Sequence, residues 1–151
     1  MTKIVLCGAC GKMGAAIAAA VDNRSDCEIV AGVDIAKKEG LGFPIYSSFA
    51  EISEAADVVI DFSNPVCLDD MLAYCIEKKL PAVICTTGYS PEQVAQIKEA
   101  SKKIAIFYSG NMSLGINLLI ELSKKAAKVF GESFDICLLY TSPSPRDAHE
   151  S

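Results

Sequence analysis

The feature that most constrains this chain is a repeated alternation. Short apolar runs, KIVLC (3–7), CEIVAGVD (27–34), DVVIDF (57–62), PAVICTT (81–87) and KIAIFY (ending at Tyr108), are each separated by a segment with helical character. Runs apolar at successive positions are hidden on both faces, and strands hidden on both faces and joined through helices form a parallel sheet. The fold expected is α/β, a doubly wound parallel sheet with helices on both sides. The helical segments carry their own signals. Lys12–Asn23 is alanine-rich, Asn64-Pro65 opens a helix reaching about Lys78, and Phe49–Ala55 reads as a short helix. Ser90-Pro91-Glu92-Gln93 reads as a capping box, and a long helix over 113–131 ends at Gly131. Residues 40–48 read as a loop, and FDICLLY (134–140) as a sixth strand.

Composition narrows the functions open to such a domain. Hydrophobic residues make up 51% of the 151, enough for a core, and the net charge of −5 gives no basic footprint for nucleic acid. No apolar run approaches the ~18–20 residues of a bilayer helix, and the amino terminus does not read as a signal peptide, so a cytoplasmic protein is expected. The seven cysteines are scattered and odd in number, so most read as small buried hydrophobes rather than a disulfide framework.

The first run leads into GACGKMG, with glycines at 8, 11 and 14, and then into the first helix. Ala9, Gly11 and Gly14 match the dinucleotide-binding spacing G-x-G-x-x-G with alanine in the first place, and Gly8 adds a flexible residue before it. Such a turn lets the backbone approach a pyrophosphate, toward which the helix N-terminus directs free N–H groups. Asp34 closes the second strand, where a carboxylate accepts hydrogen bonds from an adenosine ribose. Lys37 and Lys38 nearby suit a 2′-phosphate, leaving NADH or NADPH open. Cys7-Gly8-Ala9-Cys10 is also a C-x-x-C, which admits a thioredoxin-like redox reading. Against it, Cys7 ends an apolar strand and no βα unit precedes it. Ligands of open α/β sheets lie beyond the carboxyl ends of the strands. Those ends carry Phe62-Ser63-Asn64, Cys85-Thr86-Thr87-Gly88 and Ser109-Gly110-Asn111-Met112-Ser113. Their hydroxyls and amides suit ribose and carboxamide, although Asn64 and Ser113 are also ordinary helix caps.

In this order and spacing, GACGKMG, VIDFSNP, CTTGYS and SGNMSLGIN resemble the N-terminal domain of the 4-hydroxy-tetrahydrodipicolinate (dihydrodipicolinate) reductase family of bacterial lysine and diaminopimelate biosynthesis. The resemblance runs from Lys3 to Ile136. It implies a Rossmann domain for NADH or NADPH, a homotetramer, a dicarboxylate substrate, and reduction of that substrate with loss of water. It implies cofactor contacts from Gly8, Ala9, Cys10, Gly11, Lys12 and Met13 at the pyrophosphate, and from Asp34 at the adenosine ribose. Cys85, Thr86, Thr87 and Gly88 follow beside the nicotinamide ribose, and Ser109, Gly110, Asn111 and Met112 at the nicotinamide; Phe62, at the end of the third run, is a further cofactor-binding candidate. Cys85 stands where the family has glycine. The family's Glu-x-His-His-x-x-Lys segment, which carries its proton donors, is absent after Phe134-Asp135-Ile136. The expectation is therefore a cofactor-binding domain over 1–136, cut short of a substrate domain, and a disordered tail over 137–151. No catalytic residue and no metal ligand is assigned, and His149, the single histidine, reads as a free tail residue. The other readings are a non-catalytic nucleotide-binding module or a piece of a different Rossmann dehydrogenase.

Overall fold

The computed structural model describes residues 1–36 and 40–131. Its contacts divide the chain into two compact units, Met1–Met112 and Ser113–Ser151. The first unit holds β1 (Thr2–Cys7), α1 (Lys12–Asp22), β2 (Cys27–Val33), β3 (Ile45–Tyr46), β4 (Val58–Asp61), α2 (Leu68–Lys78), β5 (Ala82–Ile84), α3 (Pro91–Ala100) and β6 (Ile106–Tyr108). All six strands form one sheet in the order β3-β2-β1-β4-β5-β6, and every pairing is parallel. The α/β parallel sheet expected from the sequence is present.

Burial explains why these residues make strands. Ile4, Val5, Leu6 and Cys7 of β1 are all buried, so the strand is covered on both faces. Val5 and Cys7 join one cluster with Val33, Val59, Leu68, Met71, Cys75 and Ile84, while Ile4 and Leu6 alternate to the opposite face. Hiding a side chain such as Leu6 stabilises the fold by roughly 1.5–3 kcal/mol. The strands are shorter than the apolar runs, because each run continues past the sheet edge into a loop. Ile45–Tyr46, read as loop, is instead a two-residue edge strand held by Gly32 N–H to Pro44 O and Asp34 N–H to Tyr46 O bonds, at 2.9 and 3.0 Å. Two residues carry no legible period, so the pairing is decided by the neighbouring strand. Phe49–Glu51 is a single tight 3₁₀ turn rather than a longer helix.

The helix signals hold closely. Ser90 and Gln93 form the reciprocal capping box of α3. Pro65 opens a 3₁₀ turn that runs into α2, with Asn64 Oδ1 accepting from Val66 N–H. In the second unit α4 (Leu114–Phe130) is capped by Ser113 Oγ, which accepts from Ile116 N–H, and it ends at Gly131. The strand expected over 134–140, the boundary at 136 and the tail all lie outside the described residues, as do Lys37, Lys38 and His149.

Candidate dinucleotide site

The chain direction reverses its progress across the sheet between β1 and β4: β2 and β3 extend one way from β1, and β4 to β6 the other. A crevice opens beyond the strand ends at such a point. Here it is a cleft of about 410 Å³, lined from β1 by Cys7, Gly8 and Gly11, from β2 by Asp34 and Ile35, and from β4 by Phe62, Ser63 and Asn64. Ser47, Val66 and Cys67 complete its wall.

The glycine turn is built differently from the sequence match. Gly8, not Ala9, makes the tight turn. Its φ is +78°, and a Cβ there would stand 2.4 Å from Phe62 O. Ala9 is fully buried. The working spacing is therefore Gly8-x-x-Gly11-x-x-Gly14, and Ala9 is a packing residue beneath the turn. Gly14 lets α1 close on the strand, since a Cβ would fall 2.3 Å from Gly8 O. Gly11 is the open position: its Cβ would meet only Gly8 O, at 3.3 Å. Gly11 is also the N-cap of α1, and no side chain caps that helix. The first N–H groups of α1, from Lys12 on, are thus left without a side-chain cap at the positive end of the helix dipole, next to Gly11 in the cleft lining. Lys12 and Met13, in the first turn, are exposed.

Asp34 is fixed by two backbone donors. Oδ2 accepts from Cys10 N–H and Oδ1 from Ala36 N–H, both at 2.9 Å. A carboxylate has about four acceptor positions, so two remain for a ligand's hydroxyls. The same contact ties the end of β2 to the glycine turn. Cys10 donates its thiol to Ala36 O at 3.1 Å. Cys7 is buried, and burial pushes its thiol well above the usual range, the reverse of an activated redox cysteine. The geometry therefore opposes the C-x-x-C reading.

The remaining expected residues lie farther along the same sheet edge rather than in the cleft wall. Cys85 is buried, its N–H bonded to Asp61 O at 2.9 Å, so its backbone is held and its side chain is inside. Burial, then the nearby Asp61 charge, pushes its thiol up to about 11. Thr86 is buried, and its hydroxyl lies beside the Tyr89 phenol without a well-formed hydrogen bond. Thr87 and Gly88 are exposed. Ser109 N–H bonds Ile84 O at 3.1 Å and its hydroxyl donates to Asn111 O at 2.8 Å, shaping the turn. A Cβ on Gly110 would lie 3.5 Å from the Thr87 methyl, so the β5 and β6 loops are in contact. Met112 is exposed.

The sequence reading passed over Asp61 and Tyr89. Tyr89 donates to Asp61 Oδ2 at 3.2 Å, and its ring meets that of Tyr108 edge-on at 5.9 Å. The available signal was a carboxylate inside the apolar run VVIDF. Among the described residues no cluster of His, Cys, Asp or Glu suits a metal ion, and no helix is long and apolar enough to cross a membrane.

Comparison with known proteins agrees with this architecture. Residues 2–112 match the family model described as dihydrodipicolinate reductase, N-terminus. The chain belongs to the dihydrodipicolinate reductase family. That match ends where the first compact unit ends. The 4-hydroxy-tetrahydrodipicolinate reductase of Clostridium novyi (strain NT) is 46% identical over 136 residues, 90% of this chain and 54% of that protein. The Clostridium tetani (strain Massachusetts / E88) reductase is 47% identical over the same length, 90% of this chain and 53% of that protein. The chain therefore spans about half the length of the curated relatives it matches. A dipicolinate-bound dihydrodipicolinate reductase from Paenisporosarcina sp. TG-14 shares the fold, with a TM-score of 0.71 at 22% identity. That likeness covers 84% of this chain and 54% of that one. A myo-inositol 2-dehydrogenase from Lactobacillus plantarum has the fold as well, with a TM-score of 0.62 at 13% identity over 83% of this chain and 41% of that one.

Proposed function

We propose that this chain is the cofactor-binding part of an NAD(P)H-dependent reductase that converts 4-hydroxy-tetrahydrodipicolinate to tetrahydrodipicolinate. The observation that carries the reading is the uncapped N-terminus of α1 at Gly11, open above the cleft beside Asp34. A dinucleotide fits these residues. The α1 amides meet the pyrophosphate. The two spare acceptor positions of Asp34 meet the adenosine ribose, and Ile35, Val66 and Cys67 give its base an apolar wall. Cys85 to Gly88 and Ser109 to Met112 continue toward the nicotinamide end, where the buried Thr86 hydroxyl makes no well-formed hydrogen bond. Leaving such a group unmet in a buried place costs roughly 1–3 kcal/mol.

The bound cofactor supplies the hydride, and this chain's residues bind and orient it. In this reading the substrate is a small dicarboxylate, the setting the cytoplasm and the full reductase a homotetramer, and the family match supports the reductase assignment on which these rest. The 151 residues contain no His-His-x-x-Lys segment to donate a proton, so this chain alone binds cofactor without turnover. Calorimetric titration of the purified chain with NADH and NADPH, alongside a reductase assay, tests both halves. Saturable binding with no turnover is expected. No binding of either nucleotide refutes the site, and measurable turnover refutes the division of labour.

A further inference from the structure

Asp61 is the one charged side chain among the described residues that is fully buried. It takes part in none of their ion pairs. Its hydrogen-bond donors Ser63 and Tyr89 lie on two loops, and the buried Cys7 thiol of β1 stands beside it. Oδ1 accepts from Ser63 N–H at 3.1 Å and from the Ser63 hydroxyl in a short bond. Oδ2 accepts from the Tyr89 phenol. Ser63 is in the cleft wall beyond β4. Tyr89 ends the Cys85–Tyr89 loop beyond β5. The main chain of Asp61 makes the same connection, since its carbonyl accepts from Cys85 N–H. Beside it Gln93 Nε2 donates to Pro65 O at 2.8 Å, a second tie between the chain after β4 and the start of α3.

A buried carboxylate without a cation is a poor device for stability, because an apolar side chain of similar size avoids its desolvation cost. What it does provide is direction: three donors must converge on two oxygens. We propose that Asp61 is a positioning residue that locks the Ser63 loop and the Thr86–Tyr89 loop in one fixed arrangement, so that both meet the same dinucleotide. This rests on the dinucleotide reading of the cleft. Asp61 acts through Ser63 and Tyr89 and does not line the cleft itself.

The test uses Tyr89→Phe, Asp61→Asn and Asp61→Ala in the 151-residue chain. Amide hydrogen exchange is measured in the ligand-free protein and NADH affinity by titration. Tyr89→Phe removes one oxygen and keeps the ring. It is expected to keep the circular dichroism spectrum, to speed exchange over 86–89 at least tenfold, and to weaken NADH about fivefold. Asp61→Asn keeps an oxygen for Ser63 and an amide N–H for the phenol oxygen. It is expected to regain most of the affinity that Asp61→Ala loses. Unchanged exchange over 86–89 in Tyr89→Phe overturns the proposal, as does Asp61→Asn binding as weakly as Asp61→Ala. If Asp61→Ala does not fold, the exchange result for Tyr89→Phe decides. A wild-type chain that binds no NADH refutes the dinucleotide reading instead, and exchange in the free protein still decides whether the two loops are locked.

Discussion

Replacing Gly11 by alanine separates what the glycine turn does for the fold from what it does for a ligand. Gly11 has φ −74° and ψ 172°, which alanine adopts freely. Its added methyl meets one atom, Gly8 O at 3.3 Å, a small adjustment. Alanine is a poorer N-cap than glycine, by roughly 0.5–1 kcal/mol, and the stiffer unfolded chain returns about 0.4–1 kcal/mol. The net change in stability is within about 1 kcal/mol, or a Tm shift of no more than about 4 °C in a chain this long. In the proposed binding mode the same methyl stands where a pyrophosphate approaches the α1 amides. Losing that approach is expected to weaken NADH at least tenfold, about 1.4 kcal/mol or more. Gly8→Ala is the contrast. It combines a positive φ, at about 1–2 kcal/mol, with overlap against the Phe62 carbonyl at 2.4 Å, a further ~1–3 kcal/mol. That variant should lose much of its fold. Thermal unfolding followed by circular dichroism, with calorimetric titration of NADH, reads both effects. A Gly11→Ala chain that keeps both its Tm and its NADH affinity would refute the placement of the pyrophosphate.

Asp34→Asn keeps the side-chain volume, removes the charge proposed to lie beside the ribose and turns an NH2 toward one of its two backbone donors, so both nucleotides should bind more weakly while the ratio of NADPH to NADH affinity rises above that of the wild type in paired titrations. A ratio that stays fixed or falls shows that Asp34 does not set cofactor choice. Burial pushes the thiols of Cys85 and Cys75 up to about 11 and about 12, so the folded chain keeps protons that the unfolded chain releases above about pH 9. Their contribution to stability is therefore complete below about pH 9 and declines as the pH rises through 11 and 12. Urea midpoints should fall between pH 8.5 and 10.5, and a flat profile contradicts the burial of these thiols. Ser90→Ala removes the acceptor for Gln93 N–H and should lower stability by about 1 kcal/mol, seen as a Tm drop of ~2–4 °C. No drop would mean that the box adds nothing to α3.

The strands that could be read were those buried on both faces. In β1 every residue from Ile4 to Cys7 is apolar because every one is inside, and that leaves a continuous trace in the sequence. Ile45–Tyr46 left none, since two residues at a sheet edge show no period and pair only because β2 offers them a ladder. Capping was legible at Ser90 because a capping box is local, written within four residues. The assignment of the first glycine position to Ala9 failed for the opposite reason. What requires glycine at position 8 is the Phe62 carbonyl, which the fold brings from more than fifty residues away.

The same division holds for the site. The sequence alone determined a parallel α/β sheet, a glycine turn opening the first helix, an acid closing the second strand and polar strand ends, because each depends on residues adjacent along the chain. Only the tertiary structure decided which glycine turns, that Asp34 holds the turn through Cys10, and that Asp61 joins loops led by Ser63 and Tyr89. Those contacts link segments that only the order of strands in the sheet brings together, and a side chain's partners across that sheet leave no pattern along the chain.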